Sequence, residues 1–251
     1  MTDSFHNSRL LNSLIKHLPN LLTVLAICAG LSAIRFGIAG DVVLAVKLVL
    51  LASVLDFLDG RIARKFKSES TLGAELDSLA DFLNFGVAPP LILYYWGLLD
   101  FSAAGWIFVL FFAICAVMRL ARFNKDNKSG DQTEDYFIGM PAPAAAFVLL
   151  VPIYFSFAVE GQRHVPDLLL CAFLVVVGLM MVMRFPTVSF KTKAITRDNS
   201  RVLIVRAIIG IAGLAFYPWE TLIVTSSVYM FNIFLNIIRI TREKFEAHDE
   251  D

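Results

Sequence analysis

The sequence has little cysteine and little charge. Its 251 residues include three cysteines, Cys28, Cys115 and Cys171, which lie far apart in apolar runs without a Cys-x2-Cys pair. This usage excludes a disulfide framework or a thiolate metal site and favours buried thiols. The four histidines have no ligand-like spacing, so none is assigned to catalysis. Charged residues make up 18% of the chain and the net charge is zero, so charge indicates no partner and no nucleic-acid binding is predicted.

Long apolar runs are what the chain has instead. It is 57% hydrophobic, and several runs approach the roughly 20 residues that cross a hydrocarbon core. We therefore predict an all-α polytopic membrane bundle of about eight transmembrane helices. The predicted spans are residues 20–39, 42–63, 72–98, 103–123, 143–159, 167–184, 202–217 and 220–239.

The N-terminal segment has a different pattern. It has no apolar stretch ending in a small-residue cleavage site, so we expect no removable signal peptide. Its apolar residues recur at helical spacing, which predicts an amphipathic helix on the membrane surface; they are Leu10, Leu11, Leu14, Ile15 and Leu18. The predicted organisation is a cytoplasmic amphipathic segment at 1–18, a membrane domain at 19–240 and a cytoplasmic tail at 241–251.

The basic residues are distributed unevenly between the two predicted membrane faces. With the N-terminus inside, 19 of the 22 Lys and Arg residues fall on the inner side, and only Arg35, Lys47 and Arg163 fall outside. The positive-inside rule then predicts that both termini are cytoplasmic in a multi-pass protein of the cell (inner) membrane.

Four aspartates interrupt two neighbouring predicted spans. Asp56 and Asp59 share a helix face with Gly60, Ala63 and Arg64. On the next helix, Gly73, Asp77 and Asp81 also share a face. A carboxylate in a membrane span costs about 2.5–3.5 kcal/mol on insertion scales, so four of them require a function.

Bound metal explains this cluster best. Oxygen-only ligands favour Mg²⁺ or Mn²⁺ over zinc, and four carboxylates can hold two ions that clamp a phosphoryl group. Arg64 and Arg61 could hold the remaining phosphate charge. Two other interpretations exist: the aspartates pair with arginines or line helix ends with water, or they form the permeation site of a divalent-cation transporter.

The spacing Asp-x2-Asp-Gly-x2-Ala-Arg-x8-Gly-x3-Asp-x3-Asp, from Asp56 to Asp81, resembles the signature of the CDP-alcohol phosphatidyltransferase family at every defined position. The resemblance implies that Asp56, Asp59 and Asp77 bind metal and CDP, and that Asp81 completes the metal site or acts as the general base. It also implies that Gly60, Ala63 and Gly73 make room for the nucleotide and that Arg64 contacts its phosphates. Asn20 and Thr23 would point toward the nucleotide, although Asn20 could instead cap a helix.

Other stretches resemble the phosphatidylserine synthases of integral-membrane type within this family. They are residues 85–89, 119–124, 139–146 and 185–191, with Asn84 and Met118 as departures from the usual serine and cysteine. The resemblance implies CDP-diacylglycerol and L-serine as substrates, membrane lipid as surroundings, and a homodimer. The alternative acceptors are glycerol 3-phosphate, inositol phosphate and choline.

Three basic residues are candidates for binding the serine carboxylate. Arg119 and Arg122 lie at i,i+3 on one predicted helix and could form a bidentate clamp. Their alternative role is anchoring at the inner membrane face. Lys191 is the third candidate, in a loop where lysines near anionic lipid are common.

Overall fold

The computed structural model describes residues 2–66, 68, 70–129, 136–159, 165–183, 186–188 and 197–248. In this part of the chain nearly all regular structure is helical. The helices are α1 (Thr2–Ile38), α2 (Val42–Phe66), α3 (Thr71–Asp81), α4 (Ala88–Gly97), α5 (Ser102–Ser129), α6 (Ala142–Leu149), α7 (Val151–Ala158), α8 (Asp167–Val182), α9 (Arg197–Phe216) and α10 (Pro218–His248). A π-helical segment, Phe82–Val87, joins α3 to α4, and a short 3₁₀ turn, Leu99–Phe101, precedes α5.

A helix occupies each of the eight predicted spans, but only some of these helices are confirmed as candidate membrane spans. Four helical stretches are long and apolar enough to cross a membrane: residues 17–38, 71–97, 104–125 and 218–238. The helices at 142–158 and 167–182 are apolar but shorter. The chain is thus a multi-pass membrane protein, while the full number of eight spans and their orientation stay predictions.

One departure from an all-α fold is a two-stranded antiparallel ribbon, β1 (Tyr136–Ile138) with β2 (Pro186–Val188). It pairs the chain just before α6 with the chain that follows α8. Gly139 follows β1 at φ +79°, and a Cβ there would lie 2.9 Å from the carbonyl oxygens of Met181 and Met183. Only glycine fits this tight approach to the end of α8.

The predicted surface helix at the N-terminus is not a separate element. α1 continues from Thr2 through Pro19 to Ile38. A proline removes one backbone donor from a helix, which bends it or breaks it unless the neighbouring structure compensates. Contact of this first part of α1 with a membrane surface stays a prediction.

Prolines explain two irregularities that the apolar pattern did not predict. Pro89 and Pro90 have no N–H to close α-helical turns on the carbonyls of Phe85 and Gly86. The chain there adopts π-helical turns, in which the Ala88 N–H donates to the Leu83 carbonyl. Pro152 likewise accompanies the break at Leu150 that separates α6 from α7.

The apolar core lies among α4 to α8, with α1, α2 and α10 packed around it. Its largest fully buried side chains include Phe112, Ile92, Leu149, Tyr154 and Leu174. α1 and α2 form an antiparallel hairpin around Gly40, which has a φ of +84°. Because α3 follows α2 after a short connection, the aspartate-bearing parts of α2 and α3 face α1 at one end of the bundle.

Candidate active site

A cavity of about 270 Å³ lies between α1, α2 and α3. Such a volume suits part of a small-molecule ligand, since complete ligand sites are about 300–1,000 Å³. Its lining contains eight of the nine residues predicted to bind CDP. The lining residues are Pro19, Asn20, Thr23, Asp59, Gly60, Ala63, Arg64, Ser68, Ser70, Gly73, Ala74 and Asp77.

A hydrogen bond from α1 to α2 fixes one side of the cavity. The Thr23 hydroxyl donates to Asp59 Oδ2 at 2.6 Å and also lies 3.0 Å from the Pro19 carbonyl oxygen. Asp59 is 3% exposed, and its other oxygen, Oδ1, has no hydrogen-bond partner. Thr23 therefore holds a buried carboxylate that retains one free oxygen for a ligand.

The opposite side of the cavity is built at the start of α3. The Ser70 hydroxyl caps this helix by accepting a 3.0 Å hydrogen bond from the Gly73 N–H. A Cβ at Gly73 would lie 3.0 Å from Asn20 Oδ1 and 3.1 Å from Ser70 Oγ. Gly73 thus lets α3 approach α1 closely, while its predicted role of making room for the nucleotide stays a prediction.

The four aspartates come together, but they divide into two pairs. Asp59 and Asp77 line the cavity, while Asp56 and Asp81 interact with each other and lie outside the lining. Asp56 interacts electrostatically with each of the other three. Repulsion among four carboxylates requires protons or cations between them.

The donor set fits a hard divalent cation. All four groups are oxygen ligands, and Asp56 Oδ1 and Asp59 Oδ1 are buried without a hydrogen-bond partner. A cation could replace the proton that an Asp56–Asp81 hydrogen bond requires. Among the described residues, however, no three histidine, cysteine or acidic side chains are already arranged as a metal site. The metal ligation predicted from the motif therefore stays a prediction.

Arg64 lies where a phosphate-binding residue is needed. It is exposed, lines the cavity, and places a guanidinium nitrogen 3.5 Å from the Cβ position of Gly60. It interacts electrostatically with Asp59 and Asp77. Arg61 instead points its guanidinium over the ring of Phe57, 4.4 Å from the centroid. Of these two arginines, only Arg64 lines the cavity.

The predicted serine ligands have different surroundings. Arg119 interacts electrostatically with Asp81, and its buried Nε has no hydrogen-bond partner. Arg122 instead donates through a terminal guanidinium nitrogen to the Val182 carbonyl at 2.9 Å, which ties α5 to the end of α8. Lys191 lies outside the described residues. The two arginines therefore do not form a shared clamp in this structure.

Sequence reasoning missed three residues near the site. Ser68 and Ser70 line the cavity, and the buried Ser68 hydroxyl has no hydrogen-bond partner. The position of Ser70 just before an apolar helix could have identified it as a cap. No local signal identifies Ser68, or Tyr229 of α10, which interacts electrostatically with Arg119.

Comparison with known proteins identifies the family of this chain. The sequence profile of the CDP-alcohol phosphatidyltransferase family matches residues 16–188. A Mycobacterium leprae protein named CDP-diacylglycerol–serine O-phosphatidyltransferase is 35% identical over 236 residues, which cover 93% of this chain and 78% of the relative. A Mycobacterium bovis protein of the same name is 47% identical over 136 residues, 53% of this chain and about half (47%) of the relative.

A solved structure also shows similarity. It is the phosphatidylinositol phosphate synthase of Mycobacterium tuberculosis in complex with manganese and citrate, with a TM-score of 0.45 and 20% identity. The similarity covers 73% of this chain and 84% of that protein. The family profile spans more than half of the chain and includes the complete aspartate motif. This chain belongs to the CDP-alcohol phosphatidyltransferase family.

Proposed function

We infer that the protein is a CDP-diacylglycerol–serine O-phosphatidyltransferase, which makes phosphatidylserine and CMP from CDP-diacylglycerol and L-serine. The observation that carries this conclusion is the cavity lined by Asn20, Thr23, Asp59, Arg64 and Asp77. These are the motif-based nucleotide positions, and they come from three separate parts of the chain. The relatives bearing this enzyme name match the chain well beyond the cavity.

We propose that the cavity holds the nucleotide end of CDP-diacylglycerol. Arg64 would contact the phosphates, and the small residues Gly60, Ala63 and Gly73 would let the nucleotide approach the helix backbones. Asp56 does not line the cavity, so Asp56 would make its predicted contact with the nucleotide at the edge of the cavity. The acyl chains would remain in the bilayer. The lipid would enter the site from the bilayer through a gap between helices.

Asp56, Asp59, Asp77 and Asp81 would hold one or two Mg²⁺ or Mn²⁺ ions. When bound, such ions supply positive charge that neutralises the pyrophosphate and its departing CMP. A direct measurement is the binding of Mn²⁺ to the purified protein in the absence of substrate, followed by electron paramagnetic resonance. Asp59→Asn should weaken that binding, and unchanged binding would remove Asp59 from the ligand set.

Asp81 would act as the general base. Its side chain interacts electrostatically with both the Asp56 carboxyl group and the Arg119 guanidinium, which links the aspartate cluster to the predicted serine ligand. Asp81 would accept the proton of the serine hydroxyl, whose oxygen attacks the lipid-linked phosphorus. As that bond forms, the bond from the same phosphorus to the CMP oxygen breaks, and no covalent enzyme intermediate is formed.

The acceptor assignment can be tested with purified protein, CDP-diacylglycerol and Mn²⁺. L-Serine, glycerol 3-phosphate, inositol phosphate and choline would be supplied separately while CMP release is measured. Serine should support turnover at least about tenfold faster than the others. Faster CMP release with a phosphorylated acceptor would overturn the serine assignment while retaining the family reaction.

The cytoplasmic position of the active site, the inner-membrane location and the homodimer remain part of this proposal. Each rests on the charge distribution or on the family resemblance. The transporter alternative predicted carboxylates spread through several spans, whereas the four motif aspartates all lie on α2 and α3.

A further inference from the structure

The inward face of α5 leads to a charged side chain with one buried donor that remains available. Phe112, Cys115 and Ala116 are buried on this face, and Arg119 follows them at helical spacing. Arg119 Nε is buried without a hydrogen-bond partner among the described residues, and the guanidinium is within electrostatic range of Asp81 and Tyr229. A buried donor without an acceptor is costly, which favours a ligand with an anionic oxygen at this position.

The last helix supplies the second component. On α10, Leu222, Ser226 and Ile233 are 8%, 5% and 3% exposed, and their spacing defines the face that packs into the bundle. Tyr229 shares this face and packs its ring against the hydrophobic core. The Tyr229 phenol and the Arg119 guanidinium are within electrostatic range of each other. The last helix therefore brings a phenol near the cation that neighbours the proposed base.

We propose that Tyr229 is a further acceptor-binding residue, whose hydroxyl donates a hydrogen bond to the carboxylate of the amino-acid acceptor beside Arg119. This inference rests on the proposed function. A carboxylate accepts several hydrogen bonds, and a guanidinium with a phenol provides donors from two directions. In serine only two carbons separate the carboxylate from the hydroxyl oxygen. A carboxylate held at Arg119 and Tyr229 therefore keeps that hydroxyl near Asp81.

This assignment gives α10 a role in acceptor selection. The helix lies beyond residues 16–188, the region matched by the family profile. The nucleotide cavity is built from α1 to α3 with their connection, while Arg119 and Tyr229 come from α5 and α10. The two substrates are thus bound by different groups of helices that meet at Asp81.

The test compares full-length wild-type protein with Tyr229→Phe, which removes one oxygen and keeps the packed ring. KM for L-serine should rise by about 10-fold or more, as expected for losing a hydrogen bond to a charged group, while KM for CDP-diacylglycerol is unchanged. Serinol retains the hydroxyl and ammonium groups but lacks the carboxylate, so its KM should be the same in both proteins.

Tyr154→Phe is the matched control. Tyr154 is fully buried, its hydroxyl has no hydrogen-bond partner, and its ring stacks 6.3 Å from that of Trp219. Both KM values should stay at wild-type level in this variant. An unchanged serine KM in Tyr229→Phe, or an equal rise for serinol, would overturn the carboxylate contact. If wild-type protein releases CMP only with a different acceptor, the proposed function itself fails.

Discussion

At the level of single residues, the four motif aspartates differ in the groups that surround them. Asp59 and Asp77 face the cavity, while Asp81 lies near both Asp56 and Arg119. The family resemblance implies metal and CDP binding for Asp56, Asp59 and Asp77, and a metal-binding or base role for Asp81. From these positions we propose nucleotide and metal binding for Asp59 and Asp77 and proton transfer for Asp81.

Asp81→Asn should therefore reduce CMP release by at least about 100-fold, the usual contribution of a general base. The amide can still donate a hydrogen bond to Asp56, so binding of CDP-diacylglycerol should persist. Turnover and lipid-nucleotide binding would be measured on the same preparation, with the exposed Asp100→Asn as control. Near-normal turnover would remove Asp81 from the role of base.

Ser68 makes a second prediction at this scale. Its buried hydroxyl lines the cavity without a hydrogen-bond partner, and an unpaired buried donor is best explained by a ligand. Ser68→Ala should raise KM for CDP-diacylglycerol by roughly 3- to 10-fold and leave KM for serine unchanged.

The control for Ser68 is Ser32→Ala, since the Ser32 hydroxyl is exposed and donates to the Cys28 carbonyl within α1. Steady-state kinetics with each substrate varied in turn would separate the two variants. Equal kinetics in both would show that the Ser68 hydroxyl makes no contact with the nucleotide.

At the scale of elements, the site depends on how closely α1, α2 and α3 approach one another. α3 begins at a Ser70 cap, and Gly73 in its first turn lies against Asn20 of α1. The π-helical segment after Asp81 places Asn84 in the core, where its Oδ1 would clash with a Cβ on Gly30 of α1. Glycine at two positions of contact thus sets the distance between α1 and the aspartate helix.

Gly73→Ala should push the Asn20 amide or the Ser70 hydroxyl away, because the new methyl group would lie about 3 Å from each. KM for CDP-diacylglycerol should rise by roughly 10-fold or more, with a change of no more than a few degrees in the melting temperature. Gly210→Ala on α9 is the control, since no atom lies within 4 Å of its Cβ position. A wild-type KM in Gly73→Ala would show that the nucleotide does not depend on this close approach.

At the scale of the whole molecule, the ends of the helices differ in charge. The distribution of 19 basic residues inside and three outside predicts cytoplasmic termini. A green fluorescent protein fused after Asp251 should fluoresce, and alkaline phosphatase fused at the same point should be inactive in cells. The opposite pair of results would invert the orientation and place the active site on the outer face.

The helical membrane class, the position of a helix in each predicted span, the family and most residues that line the cavity could be predicted from the sequence alone. These features depend on local periodicity and fixed spacing, which do not depend on how the helices pack together. Motif residues such as Asp59 and Gly73 could be identified because helical geometry places each on a predictable face.

Which groups meet across the bundle depends on the packing of the helices and could not be predicted. The pairing of Asp56 with Asp81, the bond from Arg122 to the end of α8, and the approach of Tyr229 to Arg119 join residues far apart in the chain. The ribbon of β1 and β2 and the π-helical segment also depend on long-range hydrogen bonding or on proline. The spacing of residues along one helix determines which face a side chain lies on. The residue that this side chain contacts depends on how another helix packs against that face.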